Sequence, residues 1–131
     1  MAAVKIFVSF EFDKDNRLKN AFYKQAEDQS RHSIRNYSLN APYQENVWKG
    51  KAKQAIRKCD IVFVLVGQDT HNAPGVLVET DIARSLEKPI FQILSKGARH
   101  QSYKGIPHIE GRISWKWEAI DRKIDDLWIR R

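Results

Sequence analysis

Among the acidic residues, Glu79 stands in the setting best suited to chemistry. It falls in the stretch Pro74-Gly75-Val76-Leu77-Val78-Glu79-Thr80, beside an apolar helical stripe marked by Val78, Ile82 and Leu86. The residues three and four positions away are Val76, Ile82, Gly75 and Ala83, so no cation is spaced for a helical ion pair. Asp81, by contrast, has Arg84 at i+3 and reads as surface. A carboxylate at the edge of an apolar face is suited to gripping hydroxyls or stabilising a positive charge. The plain alternative is an amphipathic border position.

The other reactive residue types form weaker patterns. His71, His100 and His108 share no i, i+4 helical spacing and no short metal-ligand spacing, which argues against a zinc site. Cys59 is the one cysteine, so an internal disulfide and a multi-cysteine metal site are both excluded. It fits an inward helix position as a small core residue. A flavin or dinucleotide phosphate site would want a glycine- or hydroxyl-rich turn after the first strand. This chain has Ser9-Phe10-Glu11-Phe12-Asp13 there, and two carboxylates would repel a phosphate. A phospho-receiver domain needs an aspartate ending the third strand, where Val66-Gly67 stands, with Asp69 too late.

These residues need elements to place them. Val4 to Phe10 is a short apolar, β-branched run that reads as a buried strand. Asp13 and Asp15 offer N-caps for a helix with Leu18, Ala21, Phe22 and Ala26 inward. His32 to Leu39 is a weaker second strand. Asn46 to Cys59 reads as a helix with Trp48, Ala52, Ala55, Ile56 and Cys59 inward and a solvated basic face of Lys49, Lys51, Lys53, Arg57 and Lys58. Ile61 to Val66 is apolar at every residue, as a central parallel strand covered on both faces should be. A third helix follows the turn-rich Gln68 to Gly75 and is closed by Pro89. Pro89 to Leu94 is a fourth strand, and Ser95 to Gly111 a long irregular connection of the kind that often serves function. Arg112 to Trp115 is a short strand, followed by a helix with Trp117, Ile120, Ile124, Leu127 and Trp128 inward and Glu118 paired with Arg122 outside. Such alternation predicts an α/β fold, an open parallel sheet with helices on both faces. Its ligands are expected beyond the carboxyl ends of the strands, near Ser9 to Asp13, Tyr37 to Leu39, Gly67 to Gly75 and Ser95 onward.

The chain has 131 residues, 42% of them hydrophobic and 30% charged, which fits one soluble globular domain with one core. Its longest apolar run, Ile61 to Gly67, falls far short of the roughly 20 residues of a membrane span. The first residues read as a strand rather than a targeting segment, so a cytoplasmic location without membrane association is expected. The net charge of +7 comes mainly from residues 45–60 and 95–131. Those cations are dispersed and mixed with acids, without the interleaved aromatics of a nucleic-acid surface, so nucleic acid is not an expected partner.

From Val4 to about Trp128 the chain resembles the TIR-like family that includes the TIR subunit of Thoeris antiphage systems. The anchors are FVSFEFDKDNRLKNAF (Phe7 to Phe22), Tyr37-Ser38-Leu39, WKGKAKQAIRKCDIVFVLVG (Trp48 to Gly67) and THNAPGVLVETDIA (Thr70 to Ala83), in this order and spacing. The resemblance implies one TIR-like domain over 1–131, a three-layer flavodoxin-like fold and strand order 2-1-3-4-5. It also implies NAD⁺ as substrate rather than cofactor, with the catalytic glutamate falling on Glu79. Two positions depart from the family pattern. Many TIR enzymes carry a tryptophan four residues before this glutamate, where Gly75 stands here, and an aspartate often found before the Tyr-Ser-Leu segment is Asn36.

Cleaving NAD⁺ releases nicotinamide as a neutral group, so the transition state is oxocarbenium-like and departure needs no general acid. One carboxylate can hold the ribose hydroxyls and stabilise the cation. Attack by water gives ADP-ribose; attack from within the nucleotide gives a cyclic isomer. Phe10 is expected to stack on a ring, and Ser38, Thr70 and His71 to donate hydrogen bonds. Asp13 and Gly67 complete the expected substrate-binding set. Each of these residues has a plain alternative in core packing or turn stabilisation. The resemblance further implies self-association, and a separate effector protein reached through a nucleotide messenger. The rival class is a non-enzymatic TIR module that signals by assembly.

Overall fold

The computed structural model describes residues 3–10, 12–38, 45–67, 70, 73–94, 106 and 112–129, with the side chains of 12–16, 45, 46 and 129 outside that description. In chain order the elements are β1 (Val4–Ser9), α1 (Phe12–Gln29), β2 (Ile34–Asn36), α2 (Glu45–Lys58), β3 (Ile61–Val66), α3 (Pro74–Ser85), β4 (Ile90–Leu94), β5 (Arg112–Ile113) and α4 (Trp117–Ile129). The five strands form one sheet in the order β2-β1-β3-β4-β5, and every pairing is parallel. The open parallel sheet is what the strand and helix pattern predicts, and the strand order is the one the family resemblance implies.

The period of two along each strand builds the two sides of the core. Val4, Ile6, Val8 and Phe10 join Ile61, Phe63 and Leu65 of β3 under α1 and α4, with Phe22, Trp117, Ile120 and Ile124 above them. The alternate residues face α2 and α3: Phe7 and Val62 pack with Ile56, Cys59 and Ala83, and Val64 and Val66 pack with Val76 and Ala73. All six residues of β3 are buried, because it is covered on both faces and flanked by β1 and β4. This alternation places Ser9 on the α2/α3 side and Phe10 on the α1/α4 side.

Several boundaries differ from the expected ones. α1 begins at Phe12, so Asp13 and Asp15 lie inside its first turn rather than ahead of it. β2 stops at Asn36, whose Oδ1 accepts the Ser38 N–H at 2.9 Å and turns the chain away from the ladder. α3 ends before Pro89: the Lys88 N–H reaches Ala83 O (2.9 Å) and the Glu87 N–H reaches Arg84 O (3.0 Å), with Glu87 left-handed at φ 57°. That is a Schellman turn. Of Ser95 to Gly111, only Ile106 is described. Gln92 in β4 holds its backbone, accepting the Ile106 N–H at 2.7 Å.

Candidate active site

Glu79 does not sit at a border. The buried residues of α3 are Val76, Glu79, Thr80 and Ala83, whereas Val78, Ile82 and Leu86 are half-buried, so the carboxylate belongs to the face turned toward the sheet. Below it lies Ser9, the last residue of β1, which donates Oγ–H to Glu79 Oε1 at 2.7 Å. From the side comes Trp48 of α2, whose indole N–H stands as a second donor favouring the charged form of the same carboxylate. Glu79 retains 7% of its exposure. Burial drives its pKa up to about 7, against the smaller opposing pull of the Ser9 and Trp48 donors. Near neutral pH the group therefore exists as a mixture of carboxylate and acid. It can grip hydroxyls and face a cation when ionised, and it is basic enough to take a proton from water.

The ring of Trp48 is accommodated at Gly75, one turn ahead of Glu79. A Cβ at Gly75 would stand 3.5 Å from Trp48 Cζ2 and 3.8 Å from Cη2. The position without a tryptophan of its own thus has an indole laid against it from α2. The site lies at the carboxyl end of β1, beside the β1/β3 neighbour pair where the strand order reverses, as ligand sites of open α/β sheets do.

The family model of the Thoeris protein ThsB, TIR-like domain, matches residues 7–100, from β1 through β4. The chain belongs to this TIR-like family. Among solved structures, it is similar to the CMP N-glycosidase BcmB of Clostridium botulinum, with TM-score 0.55 and 16% identity over 92% of this chain and 98% of that one. It is also similar to a 2-desoxiribosyltransferase from Leishmania mexicana, with TM-score 0.62 and 13% identity over 95% of this chain and 99% of that one. At these identities the likeness is one of fold. No curated protein sequence matches the chain.

In this TIR-like domain the other described candidates have partners of their own. Phe10 packs in the α1/α4 cluster across the sheet, with the Lys19 ammonium 5.7 Å from its ring centroid. Lys19 is itself buried, and burial lowers its pKa. The Ser38 hydroxyl is engaged at β1: it accepts the Val8 N–H at 2.6 Å, lies 3.2 Å from Val8 O, and pairs with Tyr23 Oη at 2.8 Å. Thr70 is fully buried; its Oγ1 accepts the Gly67 N–H at 2.7 Å and donates to Leu65 O at 3.2 Å, closing the turn after β3. Asp13 lies in the first turn of α1, and His71 falls outside the described residues. Asn36, where an aspartate is common, performs its turn-forming job through the bond to Ser38 N–H.

Two partners of Glu79 escape sequence reasoning. Ser9 carries a signal, since a hydroxyl at the end of a strand and in register with Phe7 must face the same helices as Phe7. Trp48 reads as one more inward aromatic, and only the α2/α3 packing reveals its bond. A groove of about 400 Å³ lined by Ala3, Lys5, Arg35, Asp60 and Trp128 lies at the amino ends of β1 and β3, away from this site. Among the described residues no group of three or more His, Cys, Asp or Glu side chains is placed to hold a metal ion.

Proposed function

We propose that this TIR-like domain cleaves the N-glycosidic bond between nicotinamide and ribose in NAD⁺, with Glu79 as the catalytic carboxylate. The observation that carries the reading is a buried carboxylate at the ligand end of the sheet, held by two neutral donors and poised near neutrality. Family membership supports it. So do the names of the two similar structures, an N-glycosidase and a desoxiribosyltransferase, which associate this fold with ribosyl chemistry.

The reaction begins as the C1′–N bond breaks and its electron pair passes to the nicotinamide ring, which leaves neutral. Positive charge develops on C1′ and the ring oxygen, facing the Glu79 carboxylate, whose low-polarity setting strengthens the attraction. Water then attacks C1′ and gives up a proton to Glu79, yielding ADP-ribose. An atom of the same nucleotide attacking instead yields a cyclic isomer, which requires that water be kept from the cation. In a Thoeris-type antiphage system the product would serve as a messenger to a separate effector, with self-association of the TIR-like domain completing the site.

Incubating the purified protein with NAD⁺ and identifying products by mass tests the reading directly. Release of nicotinamide by wild type, lost in Glu79→Gln, is the expected result. Equal turnover by Glu79→Gln would remove the assignment. The likeness to a CMP N-glycosidase favours one second reading, cleavage of a pyrimidine nucleotide. CMP in the same assay decides it: free cytosine in place of nicotinamide would redirect the substrate while leaving Glu79 in its role.

A further inference from the structure

We infer that Trp48 is the positioning residue of the Glu79 carboxylate and that Gly75 is the seat that lets it reach. This role rests on the reading of Glu79 as the reacting group. The geometry begins with the packing of α2 against α3. Trp48 lies in the first turn of α2, half-buried, and its Cζ2–Cη2 edge runs along the start of α3 at the point where Gly75 has no side chain. Nε1 and Cζ2 are both bonded to Cε2 of the indole, so the edge that touches Gly75 also presents the N–H. Four residues further on, one helical turn along the same face, stands Glu79, which receives that N–H. Ser9 Oγ–H meets the carboxylate from the sheet at 2.7 Å. The group is therefore clamped between β1 and α2 by donors from two different elements.

The chemistry of the clamp fits a reacting carboxylate. An indole N–H donates and cannot accept, so it fixes the carboxylate orientation without competing for its proton. It carries no charge. A lysine or arginine at the same place would hold the group as tightly but would neutralise the field that an oxocarbenium ion needs. The rigid ring also fills space beside the carboxylate that water would otherwise occupy. A small residue at 75 is the condition for all of this, because the indole already lies at van der Waals distance from where a Cβ would be and leaves no room beyond it. A longer side chain at 75 needs the volume that the ring holds.

The test follows the ionisation of Glu79 itself, by ¹³C NMR of protein labelled at the glutamate carboxyls, in wild type, Trp48→Phe and Gly75→Leu, with Glu79→Gln assigning the resonance. The kcat/KM of NAD⁺ cleavage is measured against pH in parallel. Trp48→Phe keeps an aromatic ring and deletes the N–H; Gly75→Leu keeps the N–H and displaces the ring. Both are expected to move the Glu79 midpoint upward by about one pH unit, since a lost donor to the charged form is worth about that much. The acid limb of kcat/KM should move with it, giving roughly tenfold lower kcat/KM near pH 6 and little change above pH 9. A merely structural role for Trp48 would lower activity evenly across pH. If Trp48→Phe folds poorly, Gly75→Leu carries the test. A midpoint within about 0.3 unit of wild type in a folded variant overturns the positioning role, while loss of cleavage in Glu79→Gln leaves the functional reading standing. Wild-type cleavage by Glu79→Gln defeats that reading and the positioning role with it.

Discussion

Burying a carboxylate in an apolar setting costs stability whenever it ionises, and Glu79 makes that cost measurable. Its pKa is about 7 in the folded protein against 4.5 for a glutamate in water, so the native state holds the proton more tightly over that interval. Stability is therefore fully present below pH 4.5 and declines as pH rises through 7, by about 3 kcal/mol in all. Glu79→Gln has no charge to bury. Its stability relative to wild type should grow by about 2–3 kcal/mol between pH 5 and pH 8 in urea titrations. Its amide, facing two donors, shifts both ends of the comparison equally, so the pH-dependent difference is the readout; a flat difference would show Glu79 to be ordinary. The same ionisation governs the proposed activity. kcat/KM for NAD⁺ should fall about tenfold per unit below pH 7, and Glu79→Gln should lose on the order of 10²-fold or more at and above pH 7, with the gap narrowing in acid as the wild-type carboxyl protonates. Glu79 was legible in the sequence because a lone carboxylate among apolar helix neighbours is rare. Its depth was not: Val78, Ile82 and Leu86 mark only the half-buried part of the covered face, and Ile82 and Leu86 do pack on the core, while Val76, Glu79, Thr80 and Ala83 lie deeper.

At the scale of elements, hydroxyls expected to meet substrate are holding strand ends together. Ser38 takes over from the short β2 by bonding the Val8 N–H, and Tyr23 reaches over it to donate to Ile6 O at 2.8 Å. Ser38→Ala is expected to leave buried polar groups short of a partner and to cost about 1–3 kcal/mol of stability. KM for NAD⁺ should change little; a large KM effect with unchanged stability would return Ser38 to the substrate. The end of α3 offers the opposite change. Glu87 holds φ 57° where glycine is at ease, so Glu87→Gly should stabilise by about 0.5–1 kcal/mol, raising Tm by a few degrees. An unchanged or lower Tm would mean that the left-handed turn carries no strain. Helix and strand types were readable across the described elements, because periods of 3.6 and 2 survive in the residue pattern. Boundaries were less so: Asn36 cuts β2 short with its own side chain, and the Schellman turn stops α3 before Pro89 is reached.

At the scale of the whole molecule, the proposed substrate gives the charge of +7 a testable electrostatic role. Lys49, Lys51, Lys53, Arg57 and Lys58 are all exposed along α2, the helix that also carries Trp48 to the site. At the other end of the chain, the cations of α4 are mixed with acids, as in the exposed Arg122–Glu118 pair at 3.5 Å, and Asp121 and Asp125 are turned toward Ser30, Arg31 and His32. The parallel sheet divides the molecule, with α2 and α3 on the Glu79 side and α1 and α4 on the other. A basic helix on the site's side raises the local concentration of an anionic dinucleotide before any contact forms. Such steering acts over about 10 Å at 0.1 M salt and about 3 Å at 1 M. Raising salt across that range should therefore lower kcat/KM for NAD⁺ several-fold while leaving kcat nearly constant. Replacing Lys51 and Lys53 with Gln should reproduce part of that loss at low salt. Duplex DNA should bind weakly at physiological salt, because among the described residues the cations of α2 and those of α4 lie on opposite sides of the sheet. Tight duplex binding with a salt slope of several phosphates, together with a salt-independent kcat/KM, would assign the basic helix to nucleic acid and leave the dinucleotide without a guide to its site.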